Sequence, residues 1–181
     1  MGWFSPVKGS YPSLAQVDKT LPLDSGVATL ERGMIIALDK DTDGNPVWKL
    51  PTGSQKMLYV ALQDKSDPTA GFAGTAFDPK GGVPAITGID LAQDGEYETS
   101  VFAGAADDSV TYAVGDALKV NTNGLLCPSA SGVGDVVGYV TAAPTVRWIN
   151  NAIATPPGQT DQRLATRTGA SRKVIRFKTA V

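Results

Sequence analysis

Short apolar runs alternate with clusters of glycine, proline, asparagine and aspartate, and this punctuation persists from residue 27 to residue 149. Runs of about four to eight β-branched, aromatic and aliphatic residues bounded by turn formers read as strands. The candidates are VATLE, GMIIALD, PVWKLP, KMLYVALQ, EYETSVFAG, ALKVN, GLLCP and DVVGYVTAA. In EYETSVF, Tyr97, Thr99 and Val101 share one face while Glu98, Ser100 and Phe102 share the other, the two-residue period of a strand. No segment keeps an apolar helical period over three turns. The pattern predicts a mainly β fold, a compact β-barrel or sandwich, with 20 glycines and 12 prolines to supply its turns.

The ends break this pattern. Residues 1–26 hold Pro6, Pro12 and Pro22 without sustained periodicity. They predict an extended N-terminal arm with at most a short turn near residues 14–17. Trp3 and Phe4 sit near its tip, either as a flap folded onto the core or as an anchor on a partner. Residues 64–88 are rich in glycine and proline and predict a long loop, either interface-forming or packed on itself. After residue 149, Pro156, Pro157 and Gly158 interrupt the chain, and a short helical turn is expected near residues 161–166. The closing RKVIRFKTAV predicts a strand with Ile175, Phe177 and Val181 on one face and Arg176 and Lys178 on the other. Such a basic strand beyond a Pro-Gly linker suits pairing with a neighbour's sheet edge; the alternative is that it closes its own barrel. The expected division is an arm at 1–26, a β-barrel domain at 27–149 and a basic C-terminal arm at 150–181.

Charge sharpens the division. The net charge of −2 conceals 9 basic and 17 acidic residues in 1–146, net −8, against 7 basic and 1 acidic in 147–181, net +6. An acidic body with a basic tail is a pattern of attachment to an acidic partner. Beyond Trp148 the only aromatic is Phe177, which gives base stacking little support and disfavours direct nucleic-acid binding. The single Cys127 has no disulfide partner in the chain, as expected of assembly in a reducing compartment. No apolar run approaches the roughly 20 residues of a membrane span, and the first residues lack the basic start and apolar stretch of a signal peptide. Histidine is absent, which removes the commonest general base and metal ligand.

The strongest candidate for chemistry is Asp39, Asp41 and Asp43 before Gly44, the first half of a calcium loop. Such a loop closes with a bidentate Glu at its twelfth position; here that position is Leu50, and Pro46 interrupts the loop. A turn reading has support of its own. Asp41-Thr42-Asp43-Gly44 has a twin in Asn121-Thr122-Asn123-Gly124, also between β-like runs. Amides are poor ligands for a hard dication. Asp and Asn both bond the nearby backbone, and Gly accepts positive φ; a type I turn followed by a left-handed Gly closes hairpins. No phosphate loop or nucleophile elbow occurs. GVGDVVG at residues 132–138 places Asp135 where a phosphate would approach. Asp107 with Asp108, and Glu96 with Glu98, read as surface charge, and Cys127 as a small buried hydrophobe. The expectation is a non-enzyme with no catalytic, cofactor or metal site.

Residues 112–144, YAVGDALKVNTNGLLCPSASGVGDVVGYVTAAP, carry a Gly-Asp-x-Leu opening, a turn, GLL-x-P, a Ser/Gly segment and VVGYV. This run resembles the β-barrel of tailed-bacteriophage capsid decoration (cement) proteins and related virion structural proteins, and the hairpin ERGMIIALDKDTDG has the same style. The resemblance covers about a third of the chain and excludes both ends. It implies a protein on the capsid exterior, assembled in the host cytoplasm, that binds the major capsid protein and other copies of itself as a homotrimer and bridges capsomers. The expected partner interface is Trp3, Phe4, Arg163, Arg167, Arg172, Lys173, Arg176, Phe177 and Lys178. Alternatives are a tail, baseplate or fibre-attachment component, or a calcium- or carbohydrate-binding adhesion module.

Overall fold

The computed structural model describes residues 4–8, 17–62, 65, 85–92, 94–149 and 170–180. Among them run β1 (Phe4–Lys8), β2 (Val17–Pro22), β3 (Ile35–Lys40), β4 (Pro46–Lys49), β5 (Leu58–Ala61), β6 (Ala85–Asp90), β7 (Glu96–Thr99), β8 (Ala117–Val120), β9 (Leu126–Pro128), β10 (Val133–Ile149) and β11 (Ala170–Thr179). They form two antiparallel sheets, ordered β1-β7-β11-β10-β8-β9 and β2-β6-β5-β3-β4. The fold is mainly β, as the alternation predicts, and sandwich-like rather than a closed barrel.

Both predicted arms are corrected. Within the N-terminal one, β1 pairs with β7 and β2 pairs with β6. Each occupies a sheet edge and contains a proline, Pro6 or Pro22. Edge strands tolerate proline, but proline removes the periodic signal that would have revealed them. The C-terminal correction is larger. β11 lies between β7 and β10, with Phe177 opposite both Tyr97 and Val140. The strand expected to reach a neighbour is interior to its own sheet. Residues 27–31, VATLE, form no strand, although Val27 and Leu30 are buried. The predicted loop at 64–88 ends in β6, while most of it, and the turn at 161–166, lie outside the described residues.

The strand orders reveal a duplication. Renumbering β2 to β6 as β7 to β11 converts the order β2-β6-β5-β3-β4 into β7-β11-β10-β8-β9, the second sheet without its edge strand β1. The first unit is residues 17–90 and the second 96–179. Each unit also has one isolated parallel bridge between its flanks, Leu23 to Trp48 in the first and Phe102 to Leu126 in the second. The backbone bonds repeat too. Gly33 N donates to Ala61 O and Gly115 N to Val140 O, both at 2.8 Å; Ala61 N donates to Met34 O and Val140 N to Asp116 O, both at 2.9 Å. The twin turns occupy equivalent hairpins, β3–β4 and β8–β9. Asp41 Oδ1 accepts from the Asp43 and Asn45 amides at 2.9 and 2.8 Å. Asn121 Oδ1 accepts from the Asn123 and Leu125 amides at 3.0 Å each. Gly44 and Gly124 have φ of 86° and 75°, as the shared formula requires.

Side chains fill the two units by different means. In the first, Trp48 is fully buried, packs 4.8 Å from Tyr59 and donates its indole N–H to Ile86 O at 2.7 Å. Gly88 makes room for it: an added β-carbon would lie 3.0 Å from Tyr59 Cβ and 3.1 Å from Trp48. In the second unit the register exchanges the large and small positions. Gly138 stands where Tyr59 does and Phe177 where Gly88 does, and a β-carbon on Gly138 would meet Phe177 at 3.0 Å. Swaps that conserve volume leave a fold intact, and this one hides the duplication from residue-by-residue comparison.

The twin turns differ in surroundings. Gly124 O accepts from Ile35 N at 2.8 Å, which joins the second unit to the first. Nothing lies within 4 Å of a β-carbon on Gly44, whereas one on Gly124 would lie 2.6 Å from Ile35 O. We expect Gly44→Ala to cost ~1 kcal/mol, for the left-handed backbone alone. Gly124→Ala adds roughly 1–3 kcal/mol for the forced separation. Urea unfolding of the two variants checks the difference.

Candidate interaction surface

The residues expected to contact a partner divide into three groups. Phe4 and Phe177 are 3% and 0% exposed and belong to the second unit's core. Phe4 stacks on Tyr97 at 5.1 Å, and Tyr97 lies 5.9 Å from Phe177. Arg32 Nη2 donates to Phe4 O at 3.3 Å, holding β1 to the first unit. Neither phenylalanine is an anchor for another molecule; each is bound to its own chain by apolar burial.

The cations of β11 form the second group. Arg176 donates from Nε and Nη2 to Glu98 Oε1 at 3.0 and 2.6 Å. Lys178 lies 3.2 Å from Asp94, and Lys173 pairs with Asp108. Arg172 is half-buried and opposite Arg147 in the register. Much of the basic tail therefore meets the acidic body within one chain. The signal was present in the sequence: Glu96 and Glu98 share a spacing of two with Arg176 and Lys178, and the register sets Arg176 against Glu98 and Lys178 against Glu96. Trp3, Arg163 and Arg167, the third group, lie outside the described residues.

The acidic turn at residues 39–44 is occupied by its own donors. Asp41 Oδ2 accepts from Asn45 Nδ2 at 3.0 Å, beyond the two amides on Oδ1. Asp39 accepts from Gln55 Nε2 at 3.1 Å and from the Lys40 amide at 2.8 Å. The Asn45 side chain and then its amide hold the Asp41 carboxyl below its ordinary range, and Gln55 followed by the Lys40 amide does the same for Asp39. Among the described residues, no three Cys, Asp or Glu side chains cluster as a metal site would require. Asp107 is likewise lowered, first by Ser109, and Asp108 is spent on Lys173. Cys127 is buried, and that burial pushes its thiol up.

A cleft of 420 Å³ opens between the units, lined among others by Glu31, Met34, Ser100, Phe102 and Asn123. Among the described residues lining it, Glu31 is the titratable one. What the sequence reading missed is an exposed apolar set on the second unit: Tyr139 at 47%, Val114 at 69% and Val146 at 67%. Periodicity places Tyr139 on an outer face but does not say whether that face is covered. Among the described residues no helix is long and apolar enough to cross a membrane. No family model, curated protein or solved structure matches this chain.

Two outcomes are expected. Arg176→Met removes the guanidinium from the Glu98 carboxylate, whose side chain is 6% exposed, and with Arg176 itself partly solvated the loss is ~2–3 kcal/mol. Adding Glu98→Leu recovers most of it in thermal unfolding. Asp41→Asn keeps the turn, as its natural twin does, whereas Asp41→Ala lowers the melting temperature through loss of the turn's acceptor, and calcium gives no saturable heat in calorimetry of the native chain. Because Asp41 titrates below its ordinary value of 3.8 in the folded chain, its contribution is complete above that value and lost as pH falls through the folded one. Acid unfolding of Asp41→Asn lacks that component.

Proposed function

We propose that this chain is a non-enzymatic structural protein of a phage head, bound to the outer capsid surface and bridging capsomers. The observation that carries the reading is the run at residues 112–144 with its resemblance to cement proteins. Its Gly-Asp-x-Leu opening runs into β8, GLL-x-P leads through β9, and VVGYV lies in β10, so the pattern follows one continuous piece of sheet. Two units joined by backbone and side-chain contacts give a rigid spacer. Long Gly/Pro-rich connections leave each unit at the same topological place, between β5 and β6 and between β10 and β11. The second connection carries Arg163 and Arg167 without a nearby excess of acid, which suits an anionic lattice. Contacts of modest strength multiply on a repeating surface, so avidity replaces single-site affinity.

The test is binding of the purified chain to heads assembled without it, followed by heat and low-salt challenge. Added protein is expected to bind and to protect the heads. Failure of both removes the reading. Replacing residues 150–169 by a short Gly-Ser linker is expected to keep the fold and weaken attachment. Deleting residues 151–181 also removes β11, and with it Ile175 and Phe177, both 0% exposed; that variant is expected not to fold.

A further inference from the structure

Among the described residues, 145–149 of β10 and 170–174 of β11 have only one another as ladder partners. The pairing of β8 with β10 stops at Tyr139, and that of β7 with β11 stops at Ile175. The two strands run on as a ribbon, from Thr145 opposite Val174 to Ile149 opposite Ala170. Thr145 is exposed there, and Val146 is 67% exposed. Within this ribbon the register sets Arg147 directly opposite Arg172. Opposed residues of an antiparallel pair are neighbours on one face, and like charges so placed are destabilising.

Among the described residues no carboxylate pairs with Arg172. Asp107 and Asp108 stand beside Lys173, which alternation places on the other face of β11 from Arg172. Glu98 is held by Arg176, and Asp94 by Lys178. The residue type is selective as well. Between residues 147 and 172 the chain has four of its six arginines, none of its ten lysines and a single acid, Asp161. Arginine can set two parallel N–H donors on the two oxygens of one carboxylate, whereas lysine acts as a point charge. We propose that the Arg147–Arg172 pair is a carboxylate-binding site, by which the end of the ribbon docks on an acidic patch of a partner protein. A carboxylate shared by the pair turns their repulsion into charge-assisted hydrogen bonds. Only the partner's being a protein rests on the functional reading proposed for the chain, and two observations favour it over nucleic acid. A phosphate backbone calls for a stripe of cations, but Lys173, Arg176 and Lys178, farther along β11, are already paired. Arginine beside an exposed aliphatic such as Val146 is instead the composition of a protein interface.

Titration of the purified full-length chain with poly-L-glutamate, and separately with duplex DNA at equal charge concentration, tests this without any capsid. It can therefore fail while head binding succeeds, and the reverse. The native chain is expected to bind poly-L-glutamate more tightly than the duplex. Arg147→Gln combined with Arg172→Gln is expected to weaken that binding about tenfold or more. The melting temperature of this variant is expected to hold or rise, because the opposed charges are gone. Removing the same charge from the first unit, by Lys40→Gln with Lys56→Gln, is expected to leave most of the binding. Tighter binding to duplex DNA overturns the proposal, as does a native chain that ignores poly-L-glutamate. So does an arginine double variant that binds like the native chain, or a lysine double variant that loses as much. A lower melting temperature of the arginine double variant also overturns it, by showing the pair already satisfied within the chain.

Discussion

The insertion of β11 between β7 and β10 is the constraint on which the rest depends. It places Ile175 and Phe177 under the second unit's sheet, where both are fully buried. It sets Arg176 against Glu98 and Lys178 against Glu96 on the outer face. Phe177 in turn supports Tyr97, on which Phe4 stacks, so the N-terminal strand is held in place by the C-terminal one. Termini that meet in one sheet give the fold long-range pairings that must form together, a source of cooperativity and of slow folding.

The duplicated units show how little sequence a β topology needs. Strand order, the isolated parallel bridge, two pairs of backbone bonds and the Asx-Thr-Asx-Gly turn recur. The interiors do not: Tyr59 with Gly88 becomes Gly138 with Phe177. Backbone hydrogen bonds are indifferent to side-chain identity, while close packing asks only that the volumes sum correctly. The turn is kept because its demands are local and specific, an oxygen acceptor at the first position and positive φ at the fourth.

Divergence between the units is concentrated where their surroundings differ. The row Ile35, Val60, Ile89 is apolar where another unit covers it; its counterpart Ala117, Tyr139, Lys178 is amphipathic, with Tyr139 and Lys178 exposed. The turn at 121–124 buries its glycine against Ile35, while Thr122 and Asn123 are exposed just as Thr42 and Asp43 are. The turn at 41–44 bears acids where it projects into water. Three of the seven cations after residue 146, Lys173, Arg176 and Lys178, pair with Asp108, Glu98 and Asp94, so the excess left for another molecule is smaller than the composition suggests.

The sequence alone determined that the chain is mainly β, where most central strands lie, that the acidic motif forms a hairpin turn, and that the same turn is used twice. Each follows from a local rule: a period of two, a side-chain acceptor at the first turn position, a φ requirement at the fourth. The tertiary structure alone decided that Phe4 and Phe177 serve the chain's own core, that Pro6 and Pro22 lie in edge strands, that the two turns mark a duplication, and that one outer row is covered and the other open. Alternation assigns a residue to a face of its strand; it carries no information on which strand pairs beside it or what lies against that face. Those are set by register and by summed volume across distant segments, where the energy of burial is decided.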